Sequence, residues 1–455
     1  MSKNGVTNIL MLGWEFPPHI AGGLGVACHG LVKGLHDIGR TRVKFVMPNV
    51  SGEEDGRLAQ FLSVYDSANG SRHAPQFKAG IPTLPWSTDA SSGEGGLDAE
   101  LMDYLYTVMD SKELEIYRDE VERERTVLAA KGDRVAGKFL RAYLRNLIRP
   151  ALAYAINIER VLEKAGPIDV IHAHDWFTYF AGVKAKRLTG KPLVAHVHST
   201  EVDRSMHVDI SIRNMNISIY SIERFGLSMA DRIIAVSNKT KKTVVDNYEA
   251  GAEKIDTIYN AVEPMAYSSS GDRLTRAESV VTFIGRITYQ KGPIQFIKAA
   301  STVLKVKSDV KFVMAGSGDQ LNTAKSLVTS LGLVDNFEFP GFLSAEGVRD
   351  LLAVSDVYVM PSISEPFGIT ALEALDANVP IVVSAQSGVA EVVSSAFKVN
   401  AEDITDISNA ILYVLNHPEE AMKSVQRGRQ EANGLHWNRS AAQLADVYES
   451  VCVGV

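Results

Sequence analysis

The chain has 455 residues, a formal net charge of −7 and a composition with 45% hydrophobic and 22% charged residues. This length exceeds what one hydrophobic core usually supports, so we expect a globular protein of two domains. The acidic balance argues against a nucleic-acid-binding surface, which needs a basic face. Two cysteines, Cys28 and Cys452, are too few for a disulfide framework or a zinc-binding cysteine pair.

The first residues contain a short apolar run that ends in Trp14 and Glu15 and lacks the layout of a signal peptide. We found no apolar stretch near the length of a membrane span. The sequence therefore predicts a cytoplasmic protein with reduced cysteines, and it leaves peripheral membrane contact open.

The first half of the chain alternates short apolar runs with amphipathic stretches. Residues 24–39 have apolar side chains at helical spacing and end at Gly39, a typical residue after a helix. Continuous apolar strands between helices predict a parallel sheet that is covered on both faces. The predicted strands are 8–12, 43–47, 169–174, 193–198, 232–237 and 254–259, and we assign residues 1–262 to an N-terminal Rossmann-like domain.

The region from 51 to about 135 breaks this alternation and is interpreted as an insertion. It begins with acidic sequence rich in glycine and serine, and a charged helical stretch follows at 111–131. We favour a solvated loop and helix. A lid or an acceptor-binding flap is the alternative.

A polar segment at 263–279 is predicted to link this domain to a second one. The alternating pattern then restarts, so residues 263–435 are assigned to a second doubly wound parallel-sheet domain. Residues 436–451 predict a helix within a C-terminal segment, 436–455. The predicted strands of the second domain are 280–285, 311–316, 337–341, 356–361, 380–385 and 397–400.

The first candidate site is the glycine-rich segment 13–25, between the first strand and the first helix. Gly22, Gly23 and Gly25 allow a ligand to approach the backbone closely. Amides at the start of a helix suit a phosphate group. A tight turn without a ligand is the alternative for this segment taken alone.

The second candidate is the segment 285–292, directly after the first strand of the second domain. Arg286 and Lys291 leave the strand end in one short loop. Two cations there can neutralise a diphosphate and stabilise a negatively charged leaving group. Two solvated surface charges are the alternative, which the position at a strand end makes weaker.

The third candidate is the segment 364–375, where Glu365 and Glu373 flank a turn with Pro366 and Gly368. The helix predicted from Ile369 offers free amides to phosphate or sugar oxygens. A carboxylate such as Glu373 can accept two hydrogen bonds from the vicinal diol of a ribose. A helix-surface acid is the alternative for Glu373.

Four histidines lie on two successive strands of the first domain. His172 and His174 share a face of one strand, and His196 and His198 share a face of the next. No familiar ligand set surrounds them, so we predict no metal site. We expect His174, together with Asp175, and His198 to reach the cleft, and His172 and His196 to stay in the core.

These segments together resemble the retaining glycosyltransferases of the GT-B fold, in particular family 4 and its glycogen and starch synthase relatives. The resemblance implies an α/β protein with two Rossmann-like domains facing each other across a cleft. It extends over nearly the whole chain. The matching segments are G-G-L-G (22–25), H-A-H-D-W (172–176), V-H-S-T-E-V-D-R (197–204), G-R-I-T-Y-Q-K-G (285–292), E-P-F-G-I-T-A-L-E (365–373) and S-G-V-A-E-V-V (387–393).

The resemblance implies a donor site for a nucleotide sugar in the second domain. Arg286 and Lys291 would bind its diphosphate, and Glu373 would hold the ribose hydroxyls. Glu365 would hold the transferred sugar and play an electrostatic and positioning role. The backbone groups of Phe367, Gly368 and Ile369 would bind the transferred sugar and the distal phosphate together with Glu365.

The resemblance also assigns roles in the first domain. Gly22 and Gly23 would contact the donor phosphate, and His198 would touch the donor sugar near the reacting carbon. The resemblance also implies that the last helix, predicted at 436–451, crosses back to this domain. The candidate acceptor contacts are Glu15, His174 and Asp175.

The implied function is retaining transfer of a hexose, with glucose first, from UDP- or ADP-glucose to an acceptor such as an α-glucan, with no cofactor and no metal. Ile20 stands where ADP-glucose-dependent bacterial synthases carry lysine, and Ser387 replaces a more usual glycine. The alternatives are an envelope or lipid-linked acceptor, a sugar-nucleotide epimerase of the same fold, a phosphorylase and a non-catalytic sensor. The sequence leaves the base, sugar, acceptor and oligomeric state open.

Overall fold

The computed structural model describes residues 6–20, 22–65, 111–112, 149–205, 217–263 and 278–453. The chain divides into two compact units. The N-terminal unit comprises Met1–Ala235, Lys241–Ile258 and Asn438–Val455, and the C-terminal unit comprises Val236–Thr240 and Tyr259–Trp437.

The N-terminal unit contains a seven-stranded sheet in the order β3-β2-β1-β4-β5-β6-β7. Every neighbouring pair of strands in it is parallel. The central strands β4 and β5 are buried along their whole length, as expected for apolar strands with helices on both faces. The strands are β1 (Thr7–Leu12), β2 (Thr41–Met47), β3 (Gln60–Ser63), β4 (Val170–His174), β5 (Leu193–Val197), β6 (Arg232–Ala235) and β7 (Ile255–Thr257).

The six strands predicted for this half are all present, but β3 was not predicted. It pairs with β2 at the sheet edge and lies in the region assigned to an insertion from residue 51. Its four residues are partly exposed, so they lack the apolar run of a buried strand. The residues 66–110 and 113–148 of the same region lie outside the described part of the chain, as does most of the helix predicted at 111–131.

The helix α1 (Gly23–Ile38) follows β1 and ends at Gly39, as predicted from the sequence. Gly39 has a φ of 70°, and its amide donates to the carbonyl oxygen of His36. The other helices that begin in this half are α2 (Arg149–Ala165), α3 (Asp175–Thr189), α4 (Glu201–Ser205), α5 (Ile217–Met229) and α6 (Asn238–Tyr248).

The C-terminal unit contains a six-stranded parallel sheet in the order β10-β9-β8-β11-β12-β13. All six strands predicted for this half are present. They are β8 (Ser279–Ile284), β9 (Val310–Ala315), β10 (Phe337–Gly341), β11 (Val357–Met360), β12 (Ile381–Ser384) and β13 (Phe397–Val399).

Helices separate these strands, and a last helix follows them. The predicted C-terminal helix is present, and Tyr448 on it is fully buried in the N-terminal unit. The predicted linker residues 264–277 lie outside the described residues. The helices are α7 (Pro293–Leu304), α8 (Leu321–Ser330), α9 (Ala345–Val354), α10 (Ile369–Asp376), α11 (Val389–Val392), α12 (Ile404–Asn416), α13 (Pro418–Ala432) and α14 (Trp437–Val453).

The strand order reverses once in each sheet. In the N-terminal unit, β1 lies between β2 and β4; in the C-terminal unit, β8 lies between β9 and β11. Parallel α/β sheets bind ligands outside the carboxyl ends of the strands at such a point. The loops after β1, β4, β8 and β11 are therefore the first places to look for a site. Among the helices that the structure describes, none is long and apolar enough to cross a membrane.

Candidate functional site

The loops after β8 and β11 are tied together by the backbone. The carbonyl oxygen of Gln290 accepts a hydrogen bond of 2.9 Å from the amide of Ile363. Gly292 has a φ of +71°, and a Cβ placed there would lie 2.1 Å from the carbonyl oxygen of Pro361. Glycine is thus required at this position, both for the backbone conformation and for the close approach.

An ion pair joins the two loops at their side chains. Lys291 Nζ lies 2.6 Å from Glu365 Oε2, and Ser362 Oγ donates a hydrogen bond of 3.1 Å to the same oxygen. Glu365 is buried, whereas Arg286 is exposed in the same loop as Lys291. The structure therefore brings Arg286, Lys291 and Glu365 to one edge of the sheet, as their positions at strand ends predicted.

A third loop, after β9, contacts the residues on both sides of Arg286 in the chain. The amide of Ile287 donates to the carbonyl oxygen of Ser317 at 2.8 Å. A Cβ on Gly316 would lie 1.8 Å from the carbonyl oxygen of Gly285. This loop was not predicted as part of the site. The glycine pair Gly316 and Gly318, directly after an apolar strand, was the signal that marks it.

The helix α10 begins as predicted at Ile369, after Gly368 with a φ of 105°. The first amides of such a helix have no partner inside the helix and favour an anion. Glu373 lies on this helix and is half-buried. Loss of solvation raises the pKa of its carboxyl group to about 7, so the free protein carries this group as a mixture of protonated and ionised forms near neutral pH.

The loop that carries Glu365 is anchored from behind by the segment 387–389. The amide of Gly388 donates to the Glu365 carbonyl oxygen at 3.1 Å, and the amide of Val389 donates to the Phe367 carbonyl oxygen at 2.8 Å. A Cβ on Gly388 would lie 2.2 Å from the carbonyl oxygen of Pro366. The segment S-G-V-A-E-V-V, noted for its resemblance alone, thus positions the donor-site candidates.

In the N-terminal unit, Glu15 fixes the glycine-rich segment after β1. Its buried carboxylate accepts a hydrogen bond of 2.7 Å from the amide of Gly25. A Cβ on Gly25 would lie 2.5 Å from Ile20 Cγ2, whereas a Cβ on Gly22 or Gly23 would meet nothing within 4 Å. Gly25 is therefore needed for packing, and open space beside Gly22 and Gly23 leaves their backbone approachable.

The four histidines form one row across β4 and β5, because the strand register places His174 opposite His196. His174 Nδ1 lies 2.8 Å from His198 Nε2, and His196 Nδ1 lies 3.2 Å from His172 Nε2. His172 Nδ1 is 2.6 Å from the hydroxyl oxygen of Tyr448.

The expected division of this row is wrong for His174. Its side chain is fully buried, like those of His172 and His196, because the neighbouring imidazoles stack on it; His198 is partly exposed. Burial lowers the pKa of His198 to about 3, so this ring is neutral at pH 7. The acceptor roles of Glu15, His174 and Asp175 stay predictions.

Asp175 begins α3 with a φ of 55°, an uncommon conformation for a residue other than glycine. Its Oδ1 accepts hydrogen bonds from the amides of His198 at 2.7 Å and Ser199 at 3.4 Å. Asp175 thus fixes the backbone that carries His198. Backbone strain of this kind is concentrated at functional sites.

A buried charge cluster that the sequence analysis missed holds α4, directly after the His198 loop. Arg204 lies 3.0 Å from Glu201 Oε2 and 2.9 Å from Glu223 Oε1. Burial raises the pKa of Glu223 to about 8, and the hydroxyl of Tyr248 donates to its carboxylate. Glu223 and Tyr248 are distant in sequence from α4, so no local motif revealed the cluster.

Two family models match the chain. Residues 273–431 match the model for glycosyl transferases group 1, and residues 112–265 match the model for glycosyltransferase family 4. The first match includes every residue named above as a donor-site candidate in the C-terminal unit, from Arg286 to Glu373.

Curated relatives are similar along most of their length. An uncharacterised glycosyltransferase of Methanocaldococcus jannaschii is 27% identical over 85% of this chain and 82% of its own length. A glycogen synthase of Mycobacterium tuberculosis is 22% identical over 97% of this chain and 94% of its own length.

Solved structures with the same fold include sucrose-phosphate synthase from Thermosynechococcus elongatus, with a TM-score of 0.69, 18% identity and coverage of 99% of this chain and 100% of that one. The Anabaena protein HepE, in complex with UDP and glucose, has a TM-score of 0.65 and 16% identity, with coverage of 98% of this chain and 100% of that one. These structures establish the predicted fold of two parallel-sheet α/β domains of the GT-B type.

We predict that Lys291→Ala lowers the free energy of unfolding by about 2 kcal/mol, because the buried carboxylate of Glu365 loses its cation. Adding Glu365→Gln to this variant should recover most of the loss. A double-mutant cycle by urea denaturation, followed in the C-terminal unit, measures the coupling. Strictly additive effects would show that the two side chains do not interact.

We also predict that Gly388→Ala destabilises the C-terminal unit by about 1–3 kcal/mol, because its methyl group would collide with the Pro366 carbonyl oxygen. The backbone of Gly388 is itself helical, so the effect is steric. Gly347→Ala in α9 is the matched control and should be neutral or stabilising. Thermal unfolding of both variants tests this; equal stability of the two would exclude the collision.

Proposed function

Because this chain is a glycosyltransferase of the GT-B type, we propose that it transfers a hexose, with glucose as the first candidate, from a nucleotide sugar to a saccharide acceptor. The observation that carries this proposal is the group of Arg286, Lys291, Glu365 and Glu373 at the carboxyl ends of β8 and β11. Two cations, two carboxylates and the start of a helix together match the chemistry of a nucleotide sugar.

In this proposal, Arg286 and Lys291 bind the donor diphosphate. The pair between Lys291 and Glu365 holds the ammonium group at the sheet edge before the donor binds. The backbone amides of Phe367, Gly368 and Ile369 add donors to the distal phosphate and sugar.

Glu373 would accept hydrogen bonds from the two ribose hydroxyls. A carboxylate accepts both, whereas its protonated form has fewer acceptor sites. With the pKa of Glu373 near 7, the donor should bind preferentially to the ionised form.

The reaction would proceed with retention of configuration and without a metal or cofactor. Negative charge grows on the departing diphosphate while the sugar becomes oxocarbenium-like. Arg286 and Lys291 stabilise the first charge, and the carboxylate of Glu365 stabilises and orients the second. Glu365 acts electrostatically in this scheme and forms no bond to the sugar.

For the N-terminal unit, we propose that the amides of Gly22 and Gly23 contact the donor phosphate and that His198 contacts the sugar. The neutral imidazole of His198 fits contact with a sugar hydroxyl, since it can both donate and accept. Glu15, His174 and Asp175 are the proposed acceptor residues, with His174 acting through its neighbours because its own side chain is buried.

An α-glucan is the first proposed acceptor, supported by the similarity to a glycogen synthase over nearly the whole chain. The complex of HepE with UDP and glucose supports UDP-glucose as the first donor to test, with ADP-glucose second. An envelope or lipid-linked acceptor is the alternative, and a sugar-nucleotide epimerase would form no transferred product. A cytoplasmic location belongs to the same proposal and agrees with the two free cysteines.

We predict that Arg286→Ala and Lys291→Ala each abolish sugar transfer, because the leaving diphosphate loses a stabilising cation. Lys305→Ala, which removes an exposed cation elsewhere in the C-terminal unit, is the control and should keep wild-type activity. Product formation is measured with labelled donor, and the anomeric configuration is read by nuclear magnetic resonance. Turnover retained in folded Arg286→Ala protein would overturn the site assignment.

We further predict that a thermal-shift screen with UDP-glucose and ADP-glucose identifies one stabilising donor. A ligand at a hundredfold excess over its Kd stabilises the folded state by about 2.7 kcal/mol. The affinity should rise by about tenfold from pH 6 to pH 8, as Glu373 ionises through a pKa of about 7. Glu373→Gln should bind more weakly and without this pH dependence.

A shift that is the same at both pH values in wild type and Glu373→Gln would remove Glu373 from the donor site. No shift with either UDP-glucose or ADP-glucose, from folded protein, would reject both as ligands of the proposed donor site.

A further inference from the structure

The histidine row continues into a cysteine of α1. Cys28 Sγ, a nitrogen of His174 and a nitrogen of His198 all lie within 4.8 Å of one another. Cys28 and His174 are fully buried, and His198 is partly exposed, so one ligand of the group borders solvent. Thiolate and imidazole are the ligands that Zn²⁺ prefers in proteins.

The same row contains a second trio, His172, His174 and His196, with ligand atoms at similar distances. That trio is the weaker candidate, because both nitrogens of His172 already lie within hydrogen-bonding distance of Tyr448 and His196. Within the part of the chain that the structure describes, His174 Nε2, His196 Nε2 and His198 Nδ1 are buried without a hydrogen-bond partner, and two of these atoms belong to the Cys28 trio. Such unsatisfied buried groups call for a ligand.

The ligand atoms of the Cys28 trio are near enough to converge on one ion. Bonds of about 2.0–2.3 Å to nitrogen and sulfur place ligand atoms about 3.3–3.6 Å apart. One ligand atom of each of Cys28, His174 and His198 lies within 4.8 Å of the others, so an inward shift of these side chains by about 1 Å brings them to this separation.

The surroundings of Cys28 also favour a cation. The carboxylates of Glu15 and Asp175 are near enough to the thiol to add to the rise of its pKa that burial causes. The same negative potential attracts a divalent ion, whose binding would release the thiol proton to solvent.

We propose that Cys28, His174 and His198 bind one Zn²⁺ ion, with the fourth position open to water on the His198 side. The sequence had predicted no metal site. Cys28 lies in α1, far in sequence from the histidines of β4 and β5, so no local pattern joined it to them. We expect this Zn²⁺ ion to inhibit sugar transfer and not to serve as a cofactor. That consequence rests on the proposed function, since His198 cannot hold the metal and contact the donor sugar together.

Cobalt is the probe for the site, because Co²⁺ replaces Zn²⁺ and is coloured. Titration of metal-free full-length protein should give one Co²⁺ per chain, a near-ultraviolet thiolate charge-transfer band and the strong visible bands of tetrahedral cobalt. Cys28→Ser should lose the charge-transfer band. Cys452→Ser, which removes the other free cysteine, is the matched control and should keep it.

X-ray absorption of the zinc-loaded wild type tests the ligand set without any variant. One sulfur and two imidazole nitrogens per zinc are expected. A zinc with no sulfur ligand, no cobalt uptake, or equal spectra of Cys28→Ser and Cys452→Ser would each overturn the site.

The effect of zinc on sugar transfer is measured in a separate experiment. Zinc should inhibit sugar transfer by the wild type, and at least about tenfold more zinc should be needed for the same inhibition of Cys28→Ser. Metal binding in a protein with no transferase activity would reject the proposed function and keep the metal site. Full activity of zinc-loaded protein would reject the inhibitory role.

Discussion

Each sheet in this protein is parallel, and its strand order reverses at one pair of adjacent strands. At the reversal, the chain leaves neighbouring strands in opposite directions, so the loops after them diverge and leave backbone groups accessible. In the C-terminal unit this places the Arg286–Gly292 loop and the Ser362–Gly368 loop at one edge, after β8 and β11. In the N-terminal unit the glycine-rich segment and Asp175 follow β1 and β4 in the same way.

The proposed donor site of the C-terminal unit contains a partly buried ion pair. Lys291 and Glu365 neutralise each other in a partly buried position, where either charge alone would be costly. Glu373 is half-buried on α10, and loss of solvation raises the pKa of its carboxyl group to about 7. In the proposed function, a phosphate would interact with Lys291 and a ribose with Glu373. This coupling links the stability of the unit to its proposed chemistry.

In the N-terminal unit, the histidine row across β4 and β5 consists of neutral side chains. Its histidines stack in the core, where burial lowers their pKa values and keeps the rings uncharged. Asp175 fixes the end of the row through the amide of His198. A neutral imidazole suits a sugar hydroxyl, and it suits a transition metal equally well, because both bind through a nitrogen lone pair. Both the proposed sugar contact and the proposed metal site therefore depend on His198 being neutral.

The amino-acid sequence by itself determined the elements of the fold. Twelve predicted strands are present because buried parallel strands need continuous apolar runs, which are visible in any sequence. Among the strands of the described residues, β3 alone was missed, since an edge strand with partly exposed residues carries no such run. Arg286, Lys291, Glu365 and Glu373 were selected as candidates from their positions in the segments that follow strands, because ligands bind at that edge of a parallel sheet.

Only the tertiary structure decided which of these groups touch. The pair of Lys291 with Glu365, the collision that requires Gly388, and the burial of His174 depend on loops that are far apart in sequence. Cys28 reaches the histidine row from α1, and Glu223 and Tyr248 reach α4 from α5 and α6. Local sequence patterns indicate the secondary structure that a segment adopts. The partner of a side chain is instead determined by how the helices pack on the sheet.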